Sequence, residues 1–239
     1  MKALALVLSL SLLLSACGSA STLPGSAAVP ARFSRSSQAR VQQTGYHSTA
    51  VLRIPRADQI PQALAALRSL QAQTRTEPGN QAFLVHQDQQ DPQTILIWEA
   101  FDSEAAFQQH LQSPHLQGFL QTKLVSFVQG FSAIRPVSPL PARPEGYFST
   151  AVLKLRPGQQ PEQARQALAE LEARTRQEAG ARTFVVFSVQ ADGQPAFVIW
   201  ECFENEAAFQ AHLKSAHLQA FLGLNLVSFE KGYTLQPID

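Results

Sequence analysis

The chain has 239 residues, and its 19 Lys and Arg against 18 Asp and Glu give a formal net charge of +1. Hydrophobic residues make up 45% of the sequence and charged residues 15%, which suits one large domain or two smaller ones that each bury a core. No basic run stands out, so electrostatics gives no reason to expect nucleic acid as a partner.

The first residues have the pattern of a secretory leader. Lys2 precedes the apolar stretch Ala3–Leu14, which is too short to cross a bilayer core of about 30 Å as a helix. The next residues complete "LLSAC", which resembles a bacterial lipobox whose cysteine, Cys17, becomes the acylated first residue of the mature protein. We therefore predict a signal peptide over residues 1–16 and a lipid anchor at Cys17. The alternative is an ordinary cleaved signal peptide with a chance cysteine.

An anchored Cys17 places the protein in the cell envelope of a bacterium, with membrane lipid as its partner. The resemblance to enterobacterial lipoproteins favours the outer membrane or a periplasm-facing position. Residues 17–42 are rich in Ser, Ala and Pro, which is typical of a flexible tether between a lipid and a folded domain. Cys202 is the other cysteine, and its apolar neighbours favour a buried and inert thiol.

The rest of the chain is a tandem duplication. "GYHSTAVLRI" (Gly45–Ile54) recurs as "GYFSTAVLKL" (Gly146–Leu155), and "IWEAFDSEAAFQQHL" (Ile97–Leu111) recurs as "IWECFENEAAFQAHL" (Ile199–Leu213). A repeat of about 100 residues is the size of a domain and much longer than the units of a solenoid. The predicted boundaries are domain 1 over 43–135, a proline-rich linker over 136–144 and domain 2 over 145–239.

Each copy has the same order of predicted elements. In the first copy these are strands over 46–54, 81–87, 94–101 and 123–134, a helix over 58–75, a short helix capped by Asp102 or Ser103 that runs to Gln112, and a second short helix that restarts at Ser113-Pro114. The order βαββαβ is that of a ferredoxin-like α+β fold. One such sheet has an uncovered face, so two repeats packed face to face would form an intramolecular pseudodimer.

Three motifs carry a resemblance to a known family. They are "TRTEPGNQAFLVHQ", an aromatic residue followed by Glu on the third strand, and "EAAFQQHLQSPHLQGFL". Together they resemble the antibiotic biosynthesis monooxygenase domain, in both copies. Members of that family are usually homodimers whose sheets form an α/β barrel, so the resemblance implies a dimeric α/β barrel built within one chain. Sequence does not say whether this pseudodimer associates further.

The resemblance also implies a chemistry that needs no metal, flavin or other cofactor. A base removes a proton from a small, electron-rich hydroxyaromatic compound, and the resulting anion passes an electron to O₂. The candidate catalytic residues are His110, His115, His212, His217, Glu99 and Glu201. The candidate substrate-pocket residues are Trp98, Trp200, Phe107, Phe209, Phe119 and Phe221.

The histidines have ordinary alternatives to catalysis. His110 shares the apolar face of its helix with Phe107, where a packing histidine is common. His115 starts the next helix, and a helix N-terminus disfavours the imidazolium form, so a neutral ring able to accept a proton is expected there. Its alternative role is local capping. We expect no metal site, because a five-residue offset on a continuous helix leaves two rings about 140° apart.

The carboxylates are also ambiguous. Glu99 and Glu201 each follow a Trp on a strand, so one member of each pair faces the barrel interior and the other faces the helices. An inward Glu would be functional or paired with a cation, and an outward Glu would be a structural anchor. Glu77, in "EPG", is predicted to be a turn and cap residue.

Two further readings stay open. The heme-degrading branch of the superfamily needs a heme-ligating His on the later helix, and "LQGFLQ" (Leu116–Gln121) and "LQAFLG" (Leu218–Gly223) have none. A non-catalytic envelope lipoprotein that binds a small ligand or serves a structural role is the alternative to an enzyme. The copies also differ, since His47 and His86 correspond to Phe148 and Phe187, so two identical active sites are not guaranteed.

Overall fold

The structure is a computed structural model that describes residues 44–136 and 145–238. The predicted signal peptide with Cys17, the tether, and all of the predicted linker except Pro136 lie outside these ranges. Within the described ranges, no helix combines the length and apolarity needed to span a membrane.

Each repeat folds in the predicted order, with two short helices before its last strand. Repeat 1 consists of β1 (Thr44–Arg53), a 3₁₀ turn (Ala57–Gln59), α1 (Ile60–Thr74), β2 (Asn80–Asp88), β3 (Thr94–Phe101), α2 (Glu104–Leu111), α3 (Pro114–Gln121) and β4 (Ser126–Pro136). Repeat 2 consists of β5 (Tyr147–Leu155), α4 (Pro161–Thr175), β6 (Ala181–Ala191), β7 (Gln194–Phe203), α5 (Glu206–Leu213), α6 (Ala216–Gly223) and β8 (Val227–Pro237).

The short helices begin at side-chain caps. Ser103 accepts a hydrogen bond from the backbone N–H of Ala106 at the start of α2, so Ser103 is the cap and not Asp102. Ser113 accepts from the N–H of Leu116 at the start of α3, with Pro114 in the first turn. The predicted restart of the helix at Ser113-Pro114 is confirmed. It follows from local chemistry, since a serine hydroxyl satisfies an otherwise unpaired N–H and proline fits a first helical turn.

The eight strands form one antiparallel sheet in the order β4-β1-β3-β2-β8-β5-β7-β6. The two repeats join where β2 pairs with β8, through His86 with Pro237, Gln87 with Gln236 and Asp88 with Leu235. At the other ends of the sheet β4 contacts β6, which brings the two edges together. The predicted fold, a pseudodimer of two ferredoxin-like repeats in an α/β barrel, is confirmed.

The two faces of the sheet bury different cores. The inner face carries a cluster drawn from both repeats, including Trp98, Trp200, Phe131 and Tyr233. The outer face of each repeat packs under its own helices, around Leu67 and Phe83 in repeat 1 and around the equivalent residues of repeat 2. Because strand neighbours point to opposite faces, the inward tryptophans turn the adjacent Glu side chains outward toward the helices.

The centre of the barrel is a contact between the repeats. The rings of Trp98 and Trp200 stack with their centroids 5.4 Å apart and their planes 24° apart. The indole N–H of Trp200 donates a hydrogen bond of 2.8 Å to the Thr49 hydroxyl of the other repeat. Trp200 is only 1% exposed, so this contact between the two halves is fully buried.

The two interior histidines of repeat 1 pack against phenylalanines of repeat 2. His47 lies 5.3 Å from Phe187, and His86 lies 4.9 Å from Phe148, between ring centroids. Phe148 occupies the position of His47 in repeat 2, and Phe187 occupies the position of His86. Each histidine therefore contacts the phenylalanine that replaces the other histidine. In each pair one histidine meets one phenylalanine, and two imidazoles never face each other at these positions.

Candidate functional site

Glu99 and Glu201 lie between the outer face of the sheet and the short helices. Glu99 is 7% exposed, and burial raises its pKa to about 8, although a hydrogen bond with Ser48 opposes this shift. Burial also raises the pKa of Glu201, against a hydrogen bond that the Ser149 hydroxyl donates to its carboxylate. The question of orientation is thereby answered, since both carboxyl groups face the helices and neither enters the barrel.

Helix α2 places His110 directly above Glu99. The Nδ1 atom of His110 lies 2.9 Å from Oε1 of Glu77, and its Nε2 atom lies 3.5 Å from Oε2 of Glu99. His110 is 3% exposed, and burial lowers its pKa, while the hydrogen bond and charge of Glu77 act in the opposite direction. One imidazole therefore lies between two carboxyl groups, hydrogen-bonded to Glu77 and close to Glu99.

Helix α3 brings His115 to the same carboxylate. The Nε2 atom of His115 lies 2.6 Å from Oε1 of Glu77 and 3.2 Å from the Ser113 hydroxyl. Its side chain is 18% exposed, so it is the member nearest the solvent. The break between α2 and α3 brings the rings of His110 and His115 to a centroid distance of 6.4 Å, a geometry that a continuous helix would not give.

We call the series Glu99, His110, Glu77 and His115 the first relay. Repeat 2 contains the equivalent second relay of Glu201, His212, Glu178 and His217. There His212 lies 3.9 Å from Glu201 and 2.8 Å from Glu178, and His217 lies 2.6 Å from Glu178. The structure thus groups all six predicted catalytic residues into two sets of three, each completed by one unpredicted carboxylate.

Sequence reasoning missed the role of Glu77 and Glu178. The prediction that Glu77 sits in a turn is confirmed, since its N–H donates to the Thr74 carbonyl at 3.0 Å, but its carboxylate is also the centre of the relay. The turn depends on Gly79, whose φ is +81° and where a Cβ would lie 2.7 Å from Oδ1 of Asp102. The recurrence of Glu in both "TRTEPG" and "TRQEAG" was the signal available in the sequence.

The predicted pocket aromatics do not line one pocket. Trp98 and Trp200 lie inside the barrel, whereas the four phenylalanines lie on its outer side. Phe107 stacks on Tyr46, and Phe209 stacks on Tyr147 in the same way. The other two, Phe119 and Phe221, pack in the helix-covered cores of repeats 1 and 2.

The barrel interior is closely filled. A gap beside Trp98 and Trp200 has a volume of about 10 Å³, which is roughly the space of a single water. A second gap beside His47 and Phe187 has essentially no free volume. Cys202, on the inner face, is 2% exposed, and burial raises the pKa of its thiol to about 11, so the prediction of a buried thiol is confirmed. Neither gap has room for an aromatic ring.

The raised pKa of Glu99 predicts a pH-dependent stability that Glu99→Gln removes. Its pKa rises from the ordinary value of 4.5 to about 8 on folding. The unfolded chain therefore loses this proton as the pH rises above 4.5, while the folded protein keeps it until about 8, so Glu99 destabilises the fold progressively across that window. Glutamine stays neutral throughout.

We expect the free energy of unfolding of Glu99→Gln, relative to the parent protein, to rise between pH 4.5 and 8 and then level off. Urea titrations at several pH values, with a chelator present, measure this difference. A difference that is constant with pH would contradict the assignment.

The fold and the paired sites define a tandem α/β-barrel protein with one histidine–carboxylate relay on the outer side of each half. The family model for antibiotic biosynthesis monooxygenase matches residues 45–122 and 147–223. The chain therefore belongs to the antibiotic biosynthesis monooxygenase family, as its motifs predicted, with two domains in tandem. No curated protein matches the chain.

Solved structures share the whole tandem fold. A "putative monooxygenase" of Fusobacterium nucleatum superposes with a TM-score of 0.69 at 13% identity, over 82% of this chain and 93% of its own. A protein of the same name from Lactobacillus acidophilus gives 0.63 at 14% identity, over 82% and 95%. An anthrone oxidase-like protein gives 0.59 at 14% identity, over 82% and 92%. At these identities the likeness shows the fold alone.

Proposed function

We propose that this chain is a lipid-anchored protein of the cell envelope whose domains act as cofactor-independent monooxygenases on quinol-like or other small aromatic compounds. Membership of the monooxygenase family supports the reaction type. The lipobox-like sequence at Cys17 supports the anchor, and loss of the protein from the membrane fraction in Cys17→Ser would test it.

The observation that carries the proposal is the close contact between the Glu77 carboxylate and the imidazole of His115, at 2.6 Å. Among the described residues, the polar contacts of His115 run through Nε2, which lies 2.6 Å from Oε1 of Glu77 and 3.2 Å from the Ser113 hydroxyl. The other ring nitrogen, Nδ1, is left to accept a proton. A carboxylate that fixes the tautomer of a histidine base and then stabilises the imidazolium is a recurrent catalytic device. His115 is thus the base, and Glu77 is the positioning residue.

The two more buried residues of the first relay, His110 and Glu99, hold Glu77 and His115 in place. His110, whose pKa is lowered by burial, donates from Nδ1 to Glu77, so one buried imidazole already holds the carboxylate in place before the reaction begins. Glu99, with its pKa raised by burial to about 8, is protonated near neutral pH and faces the remaining nitrogen of His110. His217 and Glu178 have the same roles in the second relay.

The proposed reaction oxidises the substrate by four electrons, since the substrate loses two hydrogen atoms and gains one oxygen atom. His115 accepts the proton of an aromatic hydroxyl group, and the anion passes one electron to O₂. Recombination of the two radicals forms a carbon–oxygen bond, and cleavage of the O–O bond leaves one oxygen atom in the quinone-type product and releases the other as water. Every electron comes from the substrate, so no reductant is needed.

Access to the base decides where the substrate binds. The gaps inside the barrel are too small for an aromatic ring, whereas the side chains of His115 and His217 are 18% and 17% exposed. We therefore propose that the substrate contacts the exposed edge of each relay, outside the barrel. The filled interior also fits the second candidate, a non-catalytic lipoprotein, in its structural role, and a small ligand would likewise have to bind outside the barrel.

Oxygen uptake separates the two candidates. The full-length chain in detergent, treated with a chelator, should consume O₂ with a panel of hydroquinones and incorporate one atom of ¹⁸O₂ into the product. No consumption across the panel, with the protein folded and a small ligand co-purifying, would instead establish the binding role.

A further inference from the structure

We propose that the carboxylate and two imidazoles at the centre of each relay form a binding site for a divalent first-row transition-metal ion such as Zn²⁺. The sites are Glu77 with His110 and His115, and Glu178 with His212 and His217. This inference goes beyond the proposed oxygenase function, and its binding test does not depend on that function.

The donor atoms of each site already converge. One carboxylate oxygen and one nitrogen from each histidine lie within 4.8 Å of one another in both sites. A tetrahedral ion with bonds of about 2.0–2.1 Å needs its donors about 3.3 Å apart. The present contacts of His110 and His115 with Glu77, at 2.9 and 2.6 Å, are shorter than this spacing, so each would lengthen by a fraction of an ångström. Any donor pair near the 4.8 Å limit would have to approach by more than about 1 Å.

The donor set selects the kind of ion. Two imidazole nitrogens with one carboxylate suit zinc and its first-row neighbours, whereas Mg²⁺ and Ca²⁺ prefer oxygen ligands throughout. Three protein ligands leave a fourth position for water or another small ligand. Because His115 and His217 are partly exposed, that position can be reached from solvent.

A buried carboxyl group beneath each site supplies the independent evidence. A histidine that binds a metal through one nitrogen almost always donates its other N–H to a carboxylate or carbonyl. Oε2 of Glu99 is buried without a hydrogen-bond partner among the described residues, and it faces the Nε2 atom of His110 at 3.5 Å. Glu201 stands in the same place beneath His212, at 3.9 Å. With a metal on Nδ1, the Nε2–H group of His110 would complete this interaction.

The proposed ligands are identical in the two repeats, although other histidines and prolines differ between them. His47 and His86 correspond to phenylalanines in repeat 2, and Pro78 and Pro114 correspond to alanines, Ala179 and Ala216. The Glu and both His residues of each site are the same in the two copies. The interior histidines, which have been replaced in repeat 2, therefore provide a matched control.

Metal binding and base catalysis would compete for the same atoms. A metal on the Nε2 atom of His115 replaces the contact with Glu77 that would position this imidazole as a base. We therefore expect Zn²⁺ to inhibit oxygen uptake, a consequence that rests on the proposed function. If the protein consumes no oxygen at all, the oxygenase proposal fails, and the direct binding measurement still decides the metal site.

The test measures metal binding by the full-length, chelator-treated chain in detergent. Equilibrium dialysis with Zn²⁺ should give two ions per chain that excess Mg²⁺ does not displace, and Co²⁺ should give the intense visible absorption of a four-coordinate site. The variant His115→Ala should bind one ion, and His115→Ala with His217→Ala should bind none. The more conservative pair Glu77→Gln with Glu178→Gln should also lose both ions if alanine disturbs folding.

Two further variants distinguish a specific metal site from nonspecific binding of the metal to histidine side chains. His47→Phe with His86→Phe should keep both ions, since phenylalanine stands at the corresponding positions of repeat 2. Glu99→Gln with Glu201→Gln should lower the affinity by roughly 10–100-fold, as loss of an outer partner does at other metal centres. Two bound ions in the variant that lacks His115 and His217, or no Zn²⁺ binding by the parent chain, would overturn the proposal.

Discussion

Replacing Trp200 by alanine is expected to lower the free energy of unfolding by about 3–5 kcal/mol, the usual loss when a buried aromatic side chain is truncated in a core. Trp200 is 1% exposed, stacks on Trp98 at 5.4 Å and packs 5.5 Å from His86. Its indole N–H also donates to Thr49, so the substitution leaves a buried hydroxyl without that partner. Urea unfolding followed by circular dichroism measures the change.

Two comparisons make this result specific. Trp98→Ala removes the same stacking contact, but the indole N–H of Trp98 has no hydrogen-bond partner among the described residues, so we expect a loss smaller by about 1 kcal/mol. Phe229 is 68% exposed, and Phe229→Ala should change stability by less than about 0.5 kcal/mol. A loss for Trp200→Ala no larger than that for Phe229→Ala would refute the central role of the tryptophan stack.

The second large effect is the loss of oxygenase activity when the proposed base of each relay is removed. With oxygen uptake established, His115→Ala combined with His217→Ala should lower kcat by about 10²–10⁴-fold, the usual contribution of a general base. Both imidazoles are held by a carboxylate at 2.6 Å, so both relays should be active. Each single variant should then retain the activity of the intact site. The measurement is the initial rate of O₂ consumption with saturating hydroquinone.

The control is His47→Phe, which changes a histidine inside the barrel and should leave kcat within the error of the parent protein. Glu77→Gln with Glu178→Gln tests positioning, because an amide cannot hold the base in the same tautomer or stabilise its imidazolium form. We expect this pair to lower kcat and alter its pH profile. If the variant lacking His115 and His217 turns over at the parent rate while remaining folded, the relays are not the catalytic sites.

The sequence alone determined the plan of the protein. The repeated segments established two copies, and local patterns placed the strands, the helices and the restart of the helix at Ser113-Pro114. These features are predictable because they depend on neighbouring residues: alternation along a strand, helical periodicity and the capping of an N-terminus. The family motifs added the barrel, which the order of the eight strands confirms.

The sequence also located six of the eight relay residues without showing how they are connected. Alternation on β3 required Trp98 and Glu99 to point to opposite faces, but the choice of face depended on the partner repeat. The rings of His110 and His115 were expected to point in different directions, on the basis of the angle that a continuous helix gives. The chain instead turns between α2 and α3, so that angle does not apply. Glu77 was assigned only to its turn, since its contact with His110 joins residues distant in sequence.

Only the tertiary structure decided which groups share a site. Packing α2 and α3 over the outer face of the sheet brings two histidines onto one carboxylate, and burial under those helices raises the pKa of Glu99 to about 8. Packing the two repeats together fills the barrel with the tryptophan stack, which leaves the relays on the outside. The sequence determined which chemical groups are present, whereas long-range packing determined their distances and their burial, and the chemistry of a site depends on both.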